Sequence, residues 1–155
     1  MRCGFLILLL LAALPVAAQS VTPRDGWVVI PTDKPFDILL EGLQAAVRDN
    51  GLAVVTQAGP TGAARARGIT IPENRVVGVF NSIFAVRILD ASVPAMIEAP
   101  IRFYLTEDPG GTATLSYKQP SFVFEPYALD ATPDLMIAAG ELDIAFQAIA
   151  TAAAR

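Results

Sequence analysis

Histidine is missing from all 155 residues, and cysteine is represented only by Cys3. The first gap excludes more chemistry than any motif present suggests. Without histidine, no Ser-His-Asp or Cys-His arrangement and no histidine zinc site can be assembled. Cys3 falls inside a stretch that reads as a removable leader, so the mature chain is expected to hold no disulfide, no thiol nucleophile and no cysteine metal site. Basic residues are scarce as well, with 11 Lys and Arg against 15 Asp and Glu for a net charge of -4. Proteins that neutralise phosphates need a dense basic stripe. Here Arg65 and Arg67 form the only close basic pair, in a Gly/Ala-rich loop. No nucleic-acid partner, metal or cofactor is expected.

What is abundant is apolar: 54% of the chain is hydrophobic and only 17% charged. Part of that excess lies at the start. Met1-Arg2 supplies a positive end, Phe5 to Leu14 an apolar run, and Val16-Ala17-Ala18 a small-residue cleavage site. Residues 1–18 are therefore expected to be a signal peptide, and residues 19–155 a single domain. The run is short of the roughly 20 residues a membrane span needs. The mature chain is expected in the periplasm or secreted, without membrane attachment after cleavage.

The most informative stretch is an alternating pair of segments around Asp108-Pro109-Gly110-Gly111. Alternation interrupted by such a turn is the pattern of an antiparallel hairpin. Ile101, Phe103 and Leu105 then share one face with Ala113, Leu115 and Tyr117. Arg102, Tyr104 and Thr106 share the other with Thr114, Ser116 and Lys118.

Elsewhere, Trp27 to Ile30 reads as a short strand closed by Pro31. Phe36, Leu39, Leu40, Leu43, Ala46 and Val47 recur at helical spacing and predict a helix from about Lys34 to Asn50. Thr32 or Asp33 is the expected cap at its start, and Asn50-Gly51 its left-handed stop. Leu52 to Gln57 predicts a second strand, 59–68 a loop with room for one helical turn, and Arg75 to Phe80 a third strand in which Gly78 marks a bulge or close approach. Asn81 caps a short helix ending before Pro94. Residues 119–131 read as a loop with extended character at Phe122–Phe124, before Thr132-Pro133-Asp134 opens a last helix that Gly140 is expected to bend. The sum is an α+β two-layer sandwich, a mostly antiparallel curved sheet with two long helices and one short helix on one face.

Gly51-Leu52-Ala53-Val54-Val55, Val79-Phe80-Asn81, and Ala99-Pro100-Ile101-Arg102-Phe103-Tyr104 with Glu107-Asp108 and its glycine turn resemble, in order and spacing, the DUF302 family of bacterial domains. The resemblance runs from about Trp27 to Pro126 and more weakly over the last helix. It implies a TBP-like α+β domain, often paired with a second copy, and brings no activity or catalytic residues. Family members commonly have Asn-Pro where this chain has Asn81-Ser82.

Four groups of residues carry candidate chemistry. Arg102, Tyr104, Ser116 and Lys118 converge on the sheet face opposite the helices, where a guanidinium, an ammonium and a phenol suit an anionic or aromatic ligand; solvated sheet has the same pattern. Asn81 with Arg87 sits at a helix start that can receive an anion, although capping alone accounts for the asparagine. Glu98, Glu107 and Asp108 are the carboxylates available for acid–base work or calcium, two of them at a turn that favours acids anyway. Phe122, Phe124 and Tyr127, between Pro120 and Pro126, either line a pocket or bury against the domain's own sheet. The reading these support is a non-catalytic, homodimeric module binding a small anionic or amphipathic ligand. A metal-independent hydrolase using carboxylates and a purely structural homodimer are the alternatives.

Overall fold

The computed structural model describes residues 21–155; the expected leader and Cys3 lie outside them. Five strands form one antiparallel sheet: β1 Trp27–Pro31, β2 Ala53–Ala58, β3 Asn74–Phe80, β4 Ile101–Glu107 and β5 Ala113–Lys118, in spatial order β1-β5-β4-β3-β2. The helices are α1 Phe36–Asp49, α2 Thr61–Arg65, α3 Ser82–Ala91, α4 Pro120–Phe124 and α5 Asp134–Ala154, with 3-10 turns at Pro94–Glu98 and Glu125–Asp130. This is the expected α+β sandwich.

The core is the hairpin's apolar face. Phe103, Leu105 and Leu115 are fully buried, joined by Val77 from β3. Phe103 stacks on Phe146 of α5 with ring centroids 4.4 Å apart, and Tyr117 meets both rings edge-on at 5.3 and 5.5 Å. Three rings clamped in this way fix α5 over the middle of the sheet, because offset and edge-to-face contacts add to the gain from burial. Helix α1 packs beside α5, burying Leu39, Leu43 and Val47. By length and composition α5 is able to span a bilayer. Its Leu135, Leu142, Phe146 and Ile149 are instead buried in this core.

The end of α1 follows the sequence closely. Gly51 takes φ +75°, its N–H reaches the Arg48 carbonyl and the Leu52 N–H that of Val47, with Leu52 folded back and buried. That is a Schellman ending, in which a left-handed residue lets two stranded carbonyls find donors. Its start differs from expectation. Pro35 occupies the cap position with no side-chain cap, because Thr32 Oγ1 donates to the Ala113 carbonyl at 2.7 Å and ties the helix entrance to β5.

Gly78 proves to be both bulge and close approach. The β2–β3 register shifts between Val54 and Thr56, Gly78 pairs with Thr56, and a Cβ at Gly78 would collide with Thr56 Oγ1 and lie 2.9 Å from Pro100 Cγ.

Three corrections concern the last third. Residues 120–124 are helical, not extended: Pro120 starts the turn and Asp143 Oδ1 accepts the Ser121 N–H at 3.0 Å, a cap supplied from α5. Alternation at Phe122 and Phe124 imitates a strand over a span too short to distinguish the two periods. Helix α5 runs unbroken through Gly140. Its packed stripe outweighs the roughly 1 kcal/mol propensity cost of one glycine. Thr132 does not cap it through its side chain, and Pro133 holds that position.

Candidate functional site

The sheet's second face is where the polar half of the hairpin emerges. Tyr104 pairs with Ser116, and Ser116 in turn with Val29 of β1; one rung along, Trp27 pairs with Lys118. Gly78 pairs with Arg102 from the other side. The pairs Gly78–Arg102 and Lys118–Trp27 therefore lie on the face away from α1 and α5, on either side of the end of the β4–β5 ladder. Arg102 and Lys118 are exposed, and neither head group makes a hydrogen bond among the described residues.

Over this face runs a groove of about 960 Å³, walled by Trp27, Val76, Arg102, Tyr104, Lys118 and Phe122 among others. Its size is that of a small-molecule cleft, which typically measures about 300–1,000 Å³. Lys118 Nζ lies 5.7 Å and the Arg24 guanidinium 5.1 Å from the Trp27 ring centroid, within reach of cation–π attraction. The Phe122 ring packs directly on Gly26, whose φ of +70° and missing Cβ make room for it. Phe122 thus forms a rim that sequence reasoning left undecided. The sequence marks Trp27 only as a strand residue; its pairing with Lys118, invisible in the sequence, brings it to the site.

At the groove's end Glu98 accepts a hydrogen bond from the Tyr127 hydroxyl at 2.8 Å, and its second oxygen stands 3.7 Å from Arg102 Nη2. The Tyr127 phenol is pushed above its ordinary pKa, first by that hydrogen bond, then by desolvation and by the Glu98 charge. It remains a donor across the neutral range. Glu98 is therefore held on the phenol and only loosely on the guanidinium.

The fold of these strands and the position of this groove can now be set beside known proteins. A family model described as a domain of unknown function, DUF302, matches residues 28–152. The chain belongs to the DUF302 family. A crystal structure of an uncharacterized conserved DUF302 protein from Bacillus stearothermophilus superposes with a TM-score of 0.74 at 16% identity, covering 85% of this chain and 100% of that one. At that identity the likeness concerns the fold. Among curated proteins, none matches the chain.

Not every residue singled out in the sequence reaches the groove of this DUF302 domain. Ser116 is on the right face but fully buried between its neighbours, its hydroxyl donating to the Tyr104 carbonyl at 3.3 Å. It supports the floor and is withdrawn from ligand contact. Asn81 and Arg87 are engaged elsewhere. Asn81 Oδ1 accepts the Ile83 and Phe84 N–H groups at 2.9 and 3.2 Å, while its Nδ2 donates to the Gly51 carbonyl at 2.9 Å. Arg87 donates to Asp134 at 3.0 Å and to Glu141 at 2.7 Å, binding α3 to α5. Glu107 Oε2 accepts the Glu73 N–H at 2.8 Å and Asp108 Oδ2 the Thr114 hydroxyl at 2.6 Å, both at the turn end of β4. Phe124 is buried, Phe122 forms the rim and Tyr127 is half-buried with its hydroxyl on Glu98, so the aromatic group divides three ways.

Proposed function

We propose that this DUF302 domain is a non-catalytic binding module whose open sheet face receives a small anionic or amphipathic ligand. The observation that carries the reading is the presence of two exposed cations, Arg102 and Lys118, in the lining of a groove otherwise walled mainly by apolar and aromatic side chains. Ligand sites commonly combine such walls with a few placed polar groups. A hydrolase working through two acids needs carboxyl groups about 5–10 Å apart across the substrate. The groove is lined by one acid, Glu98, and Glu107 and Asp108 are occupied at the turn end of β4. That favours binding over hydrolysis.

Trp27 is the chain's only tryptophan, so its fluorescence reports on the groove. Native mass spectrometry of the purified protein, followed by titration of whatever is carried through, should change Trp27 emission at lower concentration in the wild type than in Arg102→Ala/Lys118→Ala. Equal response in both overturns the assignment. Export, read from the leader, is part of the proposal; a mature protein beginning at Gln19 is the expected product.

A second copy is the proposed partner, meeting the domain on its helical side. Helices α3 and α5, which pack together, leave Ile83, Val86, Ile137 and Ile144 exposed. Exposed apolar surface of this kind commonly marks an interface. Light scattering should give a dimer that Ile144→Asp converts to monomer.

A further inference from the structure

The groove supports a narrower statement about its occupant. Three ionisable side chains line it besides the tyrosines: Arg102, Lys118 and Glu98. With Glu98 3.7 Å from Arg102 Nη2, the lining itself carries one uncompensated positive charge. A ligand bearing a single negative charge matches that lining, while the Arg24 guanidinium, 5.1 Å from the Trp27 ring at the β1 rim, is exposed to solvent.

The cations also stand off-centre. Lys118 and Arg102 lie on β5 and β4, the second and third strands, and beyond them Tyr104, Val76, Ala58 and Pro60 line the groove toward β2 at the far edge. No charged side chain lines that stretch. Val76 and Ala58, paired across β3 and β2, form its floor, with Asn74 beside them. Strands are about 4.7–4.9 Å apart, so the way from β5 to β2 measures roughly 14 Å. A charged end followed by a long uncharged path is the imprint of an amphiphile, not of a compact anion.

Resting on the groove reading above, we infer that the ligand is a long-chain carboxylic acid, its carboxylate between Arg102 and Lys118 and its hydrocarbon tail along Val76, Ala58 and Pro60. The guanidinium supplies paired donors for the carboxylate and the ammonium a point charge. The tail gains by leaving water in proportion to its length.

The test titrates Trp27 emission of the folded chain with acetate, octanoate and dodecanoate, then with dodecanol and dodecyl phosphate, all below their micelle concentrations. Dodecanoate is expected to bind at least about tenfold more tightly than octanoate, as four added methylenes require, and acetate not detectably. Dodecanol should bind about tenfold or more weakly than dodecanoate, by loss of the charge-assisted hydrogen bonds. Arg102→Gln/Lys118→Gln should bring dodecanoate down to the dodecanol level while dodecanol binding itself persists, which shows that the groove is intact. Val76→Asp should weaken dodecanoate and dodecanol alike. Acetate binding as tightly as dodecanoate, dodecanol matching it, or dodecyl phosphate surpassing it would each overturn the carboxylic-acid assignment while leaving a ligand groove in place. If none of these compounds changes Trp27 emission and nothing accompanies the purified protein, the groove reading itself fails.

Discussion

Arg102 and Lys118 each stand one residue beyond the last rung of the β4–β5 ladder, Phe103 with Tyr117, on its outer face. The two cations thus flank the end of the ladder, with one acid 3.7 Å from Arg102 as their nearest relief. Like charges on neighbouring strands are destabilising by a few tenths of a kcal/mol to about 1 kcal/mol when directly opposite. Arg102→Thr is therefore expected to raise the stability of the ligand-free protein by up to about 1 kcal/mol and to weaken ligand binding. Urea unfolding and Trp27 titration on the same sample check both halves. Destabilisation by this exposed substitution would show that the pair is structural.

Glu98 should act as the counterweight to that pair. Glu98→Gln keeps an acceptor for the Tyr127 hydroxyl and removes the charge near Arg102. Anionic ligands should then bind several-fold more tightly, with the gain shrinking as salt is added. Binding measured at two ionic strengths tests the sign.

Asn81 is predicted to matter for folding alone. Its side chain satisfies two N–H groups of α3 and holds the Gly51 carbonyl, so Asn81→Ala should cost about 1–2 kcal/mol. Chemical denaturation should show that loss with ligand affinity unchanged.

Arg87 gives the fold a pH dependence. Hydrogen bonds from its guanidinium hold the carboxyls of Asp134 and Glu141 below their ordinary values of 3.8 and 4.5, and the same bonds, Glu141 first, raise the guanidinium further. Groups with lowered folded values stabilise above their unfolded values and lose that contribution as pH falls through the folded ones. Arg87→Ala should thus lower Tm at pH 7. The gap to wild type should close as the pH is taken from about 4 downward, where the carboxylates of the native protein protonate. A gap that persists at pH 2 would trace the loss to packing of the arginine stem instead.

Phe103 and Phe146 should behave as one unit. Truncating either to alanine is expected to cost about 3–5 kcal/mol, and the double variant less than the sum, since the first cut already unstacks the other ring. Denaturation of the three variants supplies the cycle.

Much of this architecture was legible in the sequence because its signals are local. Alternation in the hairpin, the Asn50-Gly51 stop, the Asn81 cap and the glycine at the bulge each depend on residues a few positions apart. The same holds for Arg102, Tyr104 and Lys118 sharing a face, which follows from the pleat. What escaped depended on long-range partners. The cap of α4 comes from Asp143, more than twenty positions away. Ser116 alternates like a surface residue and is nevertheless buried by its neighbours in the ladder. Arg87 looked available until α5 supplied two carboxylates. Trp27 reached the groove only through strand order, which local pattern does not encode.

The irregular step between Val54 and Thr56 reaches beyond the groove. Strand β2 is an uncharged outer strand, the kind on which sheets of neighbouring molecules grow into continuous ribbons. With its free amides and carbonyls thrown out of step at mid-length, it offers an incoming strand no uninterrupted template. Edge-to-edge joining of two copies through β2 is thereby disfavoured, which suits the proposed pairing through the helices.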